Sequence, residues 1–295
     1  MSKIVVIGES GQLAQSLRRL DWPAGFDVLC HGRSSIGEDF RSDTIRALLQ
    51  SEHAQLVLNA AAYTAVDRAE SEPQAALALN AELPRVLAAA CRELDIPLVH
   101  VSTDYVFDGE KQAPYLETDT PNPLGSYGRS KLAGDHNVER SGLSRWAILR
   151  TSWVVSEIGE TFPVKLLRRA RAGEPLRVVD DQTGCPTAAS ELARAMQVMG
   201  LRLLDRDEAA TGLFNFCGAS EMSWHGFAER LLRAAETFGI SAPPLQAIAS
   251  ADLNAPARRP AYSVLSCRRI LAACGVVGTA IEADVDRMVR TILAP

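Results

Sequence analysis

The chain has 295 residues, of which 47% are hydrophobic and 23% are charged, and its formal net charge is −5. This composition is typical of a globular protein with a sizeable core, organised as one large or two ordinary domains. The negative balance excludes a global attraction to nucleic acid or to an anionic membrane, although a local cationic pocket for a phosphate remains open. No stretch is apolar for long enough to span a membrane and the first residues lack a signal-peptide pattern, so we expect a cytoplasmic protein.

The pattern of cysteines is consistent with a cytoplasmic protein. They form no CxxC pair, and several lie in apolar runs. We interpret them as reduced, small, buried residues, as expected in a reducing compartment. The alternative, a thiol nucleophile, has no nearby histidine to support it. The six positions are Cys30, Cys91, Cys185, Cys217, Cys267 and Cys274.

The first predicted element is a strand at residues 3–7, whose β-branched run is typical of a strand covered on both faces. A glycine-containing turn and a helix at residues 12–20 follow, which is the context that a dinucleotide-binding loop requires. Gly8 would permit the tight turn, and Gly11 would let the backbone approach a pyrophosphate at the helix N-terminus. The spacing is G-x-x-G-x-x-A, not G-x-G-x-x-G, so an ordinary strand–helix turn is the alternative.

The second strand, residues 26–30, bears on the choice of cofactor. An acidic side chain at its end usually holds a ribose 2′-hydroxyl, whereas a 2′-phosphate needs an arginine. The chain has Arg33 here and no carboxylate until Glu38. Arg33 is therefore a candidate for the 2′-phosphate, and we expect NADP(H) to be preferred, with NAD(H) as the alternative. A solvated loop arginine is the competing interpretation, and Phe40, after Asp39, could flank the adenine.

Small residues follow the third strand, residues 56–59, and would let a flat cofactor lie against the backbone. A helix is predicted at residues 73–94, with a break or kink at Pro84. Several apolar positions on this and a later helix are expected to belong to the core and not to a site. They are Leu83, Val86, Leu87, Met196 and Met199.

The strand at residues 97–101 runs into hydroxyl groups, and a helix is predicted at residues 126–140. Tyr127 and Lys131 are four residues apart on that helix, so they share a face, with Thr103 opposite. A tyrosine has a pKa of about 10, and a nearby cation lowers it. Such a phenol can protonate an oxyanion as it forms. A tyrosine four residues before a lysine is a common chance pattern. It indicates a catalytic pair only because a glycine turn and a hydroxyl-ended strand precede it in the chain.

Later segments are less regular. Trp153 follows a strand at residues 147–151 and would either stack on a substrate ring or pack in the core. Asp180 and Asp181 raise a metal hypothesis, but no histidine or further carboxylate lies at a ligand spacing.

Strand–helix alternation in the first half predicts an α/β fold. We expect a Rossmann-type doubly wound parallel sheet with a smaller interleaved α/β substrate domain. Residues 1–152 would bind the dinucleotide and about 188–217 would return to that domain, while 153–187 and 218–295 would bind the substrate.

Seven motifs together give a resemblance that extends over nearly the whole chain. On them the sequence resembles the extended short-chain dehydrogenases/reductases, and most closely the dTDP-4-dehydrorhamnose reductase family. The motifs spanning residues 59–67 and 102–107 are more specific than the glycine loop. The seven are Gly8-Glu9-Ser10-Gly11-Gln12-Leu13, residues 59–67 (NAAAYTAVD), residues 102–107 (STDYVF), Tyr127-Gly128-Arg129-Ser130-Lys131, residues 150–154 (RTSWV), Gly184-Cys185-Pro186-Thr187 and residues 259–263 (RPAYS).

The resemblance implies NADPH-dependent reduction of the C4 keto group of a dTDP-sugar, within the synthesis of dTDP-L-rhamnose for cell-surface polysaccharide such as lipopolysaccharide. Tyr127 would donate the proton, Lys131 would bind the nicotinamide ribose and tune Tyr127, and Thr103 would hold the keto oxygen. The implied substrate-binding residues are Thr103, Asp104, Trp153 and Arg259. The cofactor-binding residues would be Gly8, Ser10, Gly11, Gln12, Leu13, Arg33, Asp39, Phe40, Ala60, Ala61, Ala62, Tyr63, Thr64, Tyr127 and Lys131.

The chain departs from the family pattern at three positions. Ala14 replaces a third glycine, and Glu9 replaces a small or basic residue beside the phosphates. Some members bind Mg²⁺ through glutamates at a dimer interface, but Gln15 stands where the first is expected, so we predict no metal there. A homodimer is the candidate assembly.

Two other functions stay open. One is a non-catalytic regulatory or binding subunit of the same fold, against which the intact Thr103/Tyr127/Lys131 set argues. The other is a nucleotide-sugar epimerase or dehydratase. A dehydratase normally adds acid/base carboxylates near the threonine, whereas Asp104 followed by Tyr105 fits a simple reductase better.

Overall fold

The computed structural model describes residues 2–37 and 39–294, so Met1, Glu38 and Pro295 lie outside the described residues. Its strands are β1 Ser2–Ile7, β2 Phe26–His31, β3 Ala54–Asn59, β4 Leu98–Thr103, β5 Trp146–Thr151, β6 Val154–Val155, β7 Leu176–Val179, β8 Thr183–Gly184, β9 Thr187–Ala188, β10 Gly212–Asn215, β11 Met222–Ser223 and β12 Leu245–Ile248. Its α-helices are α1 Gln12–Arg19, α2 Arg33–Ile36, α3 Ser42–Ser51, α4 Arg68–Ser71, α5 Pro73–Leu77, α6 Leu83–Glu93, α7 Ser126–Glu139, α8 Phe162–Arg171, α9 Ala189–Leu204, α10 Trp224–Glu236, α11 Arg268–Cys274 and α12 Glu282–Leu293.

Six parallel strands form the central sheet in the order β2-β1-β3-β4-β5-β10. The direction of winding reverses between β1 and β3, because β2 lies on one side of β1 and all later strands of the sheet lie on the other. In a doubly wound sheet, ligands bind outside the carboxyl ends of the strands at such a switch point. The predicted doubly wound parallel sheet is therefore confirmed.

Both faces of the sheet are covered, as the apolar run of β1 indicates. Ile4 and Val6 are buried in one core cluster with side chains of α1 and α9. Val5 and Ile7 are buried in a second cluster with side chains of α3 and α6. Successive residues of a strand point to opposite faces, so a strand between two helical layers must be apolar throughout. The five predicted core positions are all buried, including Met196 and Met199.

A third core lies apart from the sheet, where α8, α10 and α12 enclose Leu167, Phe227 and Met288. The chain returns to the central sheet between these helices, since α9 covers one of its faces and β10 is its last strand. These separate cores support, as a proposal, the interleaved division into 1–152 with about 188–217, and 153–187 with 218–295. No helix among the described residues combines the length and the apolar character needed to cross a bilayer.

The helix predicted at residues 73–94 is interrupted, as Pro84 predicts. α5 ends at Leu77, a π-helical segment occupies Ala78–Glu82, and α6 then begins with Pro84 in its first turn. Proline has no N–H to donate to the carbonyl four residues earlier, which is that of Asn80. That carbonyl instead lies against Gly134 of α7, where a Cβ would overlap it. The break thus allows close contact with the helix that carries Tyr127 and Lys131.

Candidate active site

A cavity of about 460 Å³ opens at the carboxyl ends of the central strands, where the doubly wound topology predicts a ligand. It contains most of the residues predicted for chemistry and substrate binding, together with part of the cofactor set. The predicted residues that line it are Gly11, Gln12, Leu13, Ala60, Ala62, Thr64, Thr103, Asp104, Tyr127, Lys131 and Trp153. A larger groove of about 620 Å³ lies between α10 and α12, and none of the predicted site residues lines it.

The turn after β1 has the features that a pyrophosphate needs. Gly8 has a φ of +125°, and a Cβ there would come within 3.3 Å of the Ala60 and Ala61 backbone. Ala14 packs directly against this point, 3.4 Å from that Cβ position, so alanine still permits close helix–strand packing. Nothing lies within 4 Å of the Cβ position of Gly11, which leaves the N-terminus of α1 open toward a ligand.

Gln12 connects this turn to the segment after β5. Its amide donates a hydrogen bond to the Val154 carbonyl over 3.0 Å and accepts one from the Ser156 hydroxyl over 2.8 Å. The side chain of Gln12 therefore holds the two rims of the cleft together.

Other predicted cofactor residues lie outside this cavity. Phe40 is buried among core residues that include Ile45, so packing accounts for its side chain. The Tyr63 phenol donates a hydrogen bond to Glu72 over 2.5 Å, and Tyr63 is not among the residues that line the cavity. The remaining members outside the cavity lining are Gly8, Ser10, Arg33, Asp39 and Ala61.

Tyr127, Lys131 and Thr103 converge, as the helical spacing predicts. Tyr127 and Lys131 lie one turn apart on α7, and Thr103 ends β4 opposite them. The Lys131 ammonium donates a hydrogen bond of 2.5 Å to the Val101 carbonyl. The Thr103 hydroxyl is near enough to the Tyr127 phenol to lower the pKa of that phenol. A carbonyl between these two hydroxyl groups would receive two hydrogen bonds at one oxygen.

Two unpredicted features position α7. A Cβ at Gly128 would overlap the carbonyl oxygen of Tyr105, so glycine lets the helix touch the strand-end loop. Asn80, in the π-helical segment, donates hydrogen bonds to Ser130 over 2.9 Å and to the Tyr63 carbonyl over 3.1 Å. It also accepts one from the Tyr63 N–H over 2.8 Å. Neither role was predicted, although an asparagine four residues before a proline in an apolar helix was a usable signal.

We expect Gly128→Ala to lower the free energy of unfolding by about 1–3 kcal/mol, because the added methyl must push α7 off Tyr105. A shift of Tyr127 by a fraction of an ångström should also lower kcat by about 10- to 100-fold. Chemical denaturation and steady-state kinetics measure both effects. Gly226→Ala on α10 is the matched control, since its Cβ would meet only ordinary contacts of 3.5 Å or more. Equal behaviour of the two variants would contradict this account.

Burial controls the ionisation of the site. It raises the pKa of Tyr127 to about 12, and the hydrogen bond with Thr103 only partly opposes this rise. The sequence-based expectation that Lys131 lowers the pKa of Tyr127 is therefore wrong, because the effect of burial is larger. Burial lowers the pKa of Lys131 to about 8, against the opposing charge of Asp135. At neutral pH the phenol carries its proton, which is the form that a proton donor requires.

Asp104 is the third titrating group of the cleft. It is 2% exposed, and burial raises its pKa to about 7, with hydrogen bonds from Ser263 and Thr103 opposing the rise. Its Oδ1 accepts a 3.0 Å hydrogen bond from the Thr103 hydroxyl. The protonation state of the Asp104 carboxyl therefore decides whether the Thr103 hydroxyl donates its hydrogen bond to Asp104 or into the cleft.

A buried ion pair lies beneath Lys131. Arg150 Nε donates to Asp135 Oδ2 over 3.0 Å, and the two side chains are 3% and 0% exposed. The guanidinium also lies over the Phe107 ring, 5.4 Å from its centroid. Sequence analysis did not identify this pair, because its members are 15 residues apart on different elements.

Trp153 forms one wall of the cleft and has an unpredicted partner. Its ring stacks on Trp224 with centroids 3.8 Å apart and an interplanar angle of 8°. A Cβ at Gly184 would come within 2.6 Å of the Trp153 ring, so a glycine is needed behind the stack. Trp153 has a φ of +46°, an uncommon conformation for a tryptophan. The packing interpretation of Trp153 is supported, because its buried ring stacks on Trp224. The ring also lines the cavity, and its stacking on a substrate ring stays a prediction.

Arg259 lies outside the main cavity. It pairs with Asp67 over 2.8 Å and lines a neighbouring cavity of about 300 Å³. Asp67 follows β3 and Arg259 belongs to the C-terminal part of the chain, so the pair connects the two sides of the cleft.

Several buried polar atoms at the cleft have no hydrogen-bond partner within residues 2–37 and 39–294. Ser102 Oγ, Asp104 Oδ2 and Thr151 Oγ1 are among them, and all three residues line the cavity. Buried polar groups normally have partners. These atoms, together with the open turn at Gly11, fit a polar nucleotide ligand.

The acidic residues considered for a metal are engaged in hydrogen bonds. Asp180 accepts one from Ser223 over 2.5 Å, and Asp181 accepts one from Ser250. Gln15 donates to the Ser10 carbonyl over 3.0 Å. The described residues contain no group of three or more His, Cys, Asp or Glu side chains that could hold a metal ion.

Comparison with known proteins gives consistent results. Residues 2–294 match the family model described as RmlD substrate binding domain. A dTDP-4-dehydrorhamnose reductase from Sinorhizobium fredii is 37% identical over 292 residues, covering 99% of this chain and 98% of the relative. The enzyme of the same name from Escherichia coli K12 is 33% identical, covering 98% and 97%.

A solved structure is similar to this chain in both fold and sequence. The crystal structure of dTDP-4-dehydrorhamnose reductase from Bacillus anthracis in complex with NADP superimposes with a TM-score of 0.87 and 27% identity, covering 98% of this chain and 99% of that chain. The family match and both curated relatives span almost the full length. The chain therefore belongs to the RmlD family, whose relatives named here are dTDP-4-dehydrorhamnose reductases.

Proposed function

We propose that this chain reduces the C4 keto group of dTDP-4-dehydro-L-rhamnose to give dTDP-L-rhamnose, with NADPH as the reductant. The single observation that carries the proposal is the convergence of Tyr127, Lys131 and Thr103 in one cleft at the switch point of the sheet. The relatives' names and the NADP of the B. anthracis structure support the substrate and the cofactor.

The residues present fit such a cofactor. The turn at Gly8 and Gly11 with the N-terminus of α1 would hold the pyrophosphate, and Ala60, Ala62 and Thr64 would lie beside the rest of the dinucleotide. NADPH supplies a hydride when it is bound. Lys131, anchored on the Val101 carbonyl, presents a cation next to the reacting groups.

The chain's own chemistry is proton donation and charge stabilisation. Thr103 and Tyr127 both face one point in the cleft, so both can donate hydrogen bonds to O4 as negative charge develops there. Tyr127 then transfers its phenolic proton to O4. Its high pKa ensures that this proton is present, and the developing alkoxide is basic enough to accept it.

Oxidation of NADPH across a small panel of keto-sugar nucleotides tests the proposal. Consumption only with dTDP-4-dehydro-L-rhamnose supports it. Cofactor binding without consumption of any substrate would indicate the regulatory subunit instead. Conversion of a sugar nucleotide without net NADPH oxidation would indicate an epimerase or a dehydratase.

Location and assembly remain proposals. All six cysteines are free thiols, which fits a reducing cytoplasm. The homodimer stays a prediction, and sedimentation analysis of the purified chain tests it.

We expect kcat to fall as pH rises through about 7. Above this pH Asp104 is ionised and holds the proton of Thr103, and below it the neutral acid leaves that hydroxyl able to donate to O4. A further fall near pH 8 should follow deprotonation of Lys131. Asp104→Asn should remove the first fall and keep the second. An unchanged profile in that variant would contradict the role of Asp104.

The same titration affects folding with a defined sign. The folded-state pKa of Asp104 lies above its ordinary value, so the folded state binds more protons between about pH 4 and about pH 7. The free energy of unfolding should therefore decrease as pH rises through this window, and less so in Asp104→Asn. Denaturation of both proteins across the window measures the difference.

A further inference from the structure

The acidic residue of the phosphate-binding turn reaches the next strand. Glu9 follows Gly8, and Gly32 follows the end of β2. A Cβ at Gly32 would overlap Glu9 Oε2 and lie 3.1 Å from Glu9 Cβ. The carboxylate of Glu9 therefore occupies the space directly over Gly32, where a side chain of residue 32 would otherwise stand.

A second observation places the charge of Glu9 at the same point. Cys30 is the last residue but one of β2. Burial raises the pKa of its thiol, Arg18 lowers it, and the negative charge of Glu9 raises it again. The charge of Glu9 thus acts at the carboxyl end of β2 together with the opposite charge of Arg18, although Glu9 itself belongs to the turn after β1.

This point has a defined chemical meaning in a doubly wound fold. A carboxylate at the end of β2 binds the adenosine ribose 2′-hydroxyl, whereas an arginine accommodates a 2′-phosphate. The carboxyl end of β2 and the residues directly after it, from Cys30 to Arg33, contain no carboxylate. Glu9 supplies one through space, and Gly32 provides the room for it.

We propose that Glu9 is a specificity-determining residue that disfavours the 2′-phosphate of NADP(H) and favours the 2′-hydroxyl of NAD(H). The inference rests on the proposed cofactor-dependent function and refines it. Arg33 would favour the 2′-phosphate of NADP(H), and Glu9 opposes that preference. With Glu9 present, the chain therefore discriminates less between NADP(H) and NAD(H) than it would with Arg33 alone.

Nucleotide binding tests this without any catalytic turnover. The probes are 2′,5′-ADP and 5′-AMP, which differ only in the 2′-phosphate, and isothermal titration of the full chain gives both Kd values. Glu9→Gln keeps the shape and removes the charge. This variant should lower the Kd of 2′,5′-ADP relative to that of 5′-AMP by about tenfold, as expected for loss of one nearby like charge. The KM ratio of NADPH to NADH should fall in the same direction.

Two further variants make the result specific. Glu139→Gln, at the end of α7, removes the same charge far from the turn and should leave the ratio unchanged. Arg33→Ala should raise the KM for NADPH selectively and move the ratio in the opposite direction to Glu9→Gln. High salt should shrink the effect of Glu9→Gln, because exposed charges are screened.

The outcomes are distinguishable. A ratio shifted by Glu9→Gln and not by Glu139→Gln supports the inference. Binding of both nucleotides with an unshifted ratio overturns it and leaves the proposed function intact. Failure of both nucleotides and both intact cofactors to bind the unmodified chain overturns the proposed function and this inference together.

Discussion

Replacing Tyr127 with phenylalanine should lower kcat by about 10²- to 10⁴-fold, the usual contribution of a positioned proton donor. The substitution removes the hydroxyl and keeps the ring, which packs edge-on against Tyr105 with centroids 5.8 Å apart. We therefore expect the fold and the affinity for NADPH to be retained. Steady-state kinetics with a fluorescence titration of NADPH would separate the two effects.

Tyr262→Phe is the matched control, because its hydroxyl faces Glu221 outside the catalytic cavity. It should retain nearly full turnover. Near-normal turnover in Tyr127→Phe would refute the assignment of the proton donor. A loss of NADPH binding equal to the loss of turnover would instead assign Tyr127 to cofactor binding.

Arg150→Met should lower the free energy of unfolding by about 3–5 kcal/mol, the usual cost of removing one partner from a buried ion pair. Methionine leaves the Asp135 carboxylate at 0% exposure without its guanidinium partner. It also removes the cation over the Phe107 ring. Urea denaturation at neutral pH measures the loss. Arg46→Met, which breaks two surface ion pairs, should change stability little.

The double variant Arg150→Met with Asp135→Leu tests the reason for that loss. Two apolar side chains of similar volume often replace a buried ion pair without net cost. Much of the stability should therefore return in the double variant. If it stays as unstable as Arg150→Met, lost packing around Arg150 is responsible and the unpaired carboxylate is not.

Much of the site could be predicted because its signals are local. The helix over Tyr127 and Lys131 extends from Ser126 to Glu139, within one residue of the prediction. A four-residue spacing on one helix already implies a shared face. The break before Pro84 is equally local, since it follows from one missing N–H.

Other parts could not be predicted, because they depend on residues distant in the chain. Asn80 bonds to Ser130, 50 residues later, and Trp224 stacks on Trp153 from another helix. Phe40 is buried in the core with Ile45, a contact that the sequence did not predict, and its place beside the adenine stays a prediction. The pKa of Tyr127 was expected to fall beside Lys131, yet burial raises it. Neither packing nor desolvation is visible in a linear pattern.

Local order was therefore enough to specify the alternating strands and helices, the glycine turn and the pairing of phenol with ammonium, since each depends on neighbours within a few residues. Three-dimensional packing decided which groups share the cleft, how burial shifts their proton affinities, and that Glu9 lies over Gly32. The reason is that desolvation and Coulomb interactions depend on distances in space. Those distances exist only once the sheet and its two helical layers have assembled.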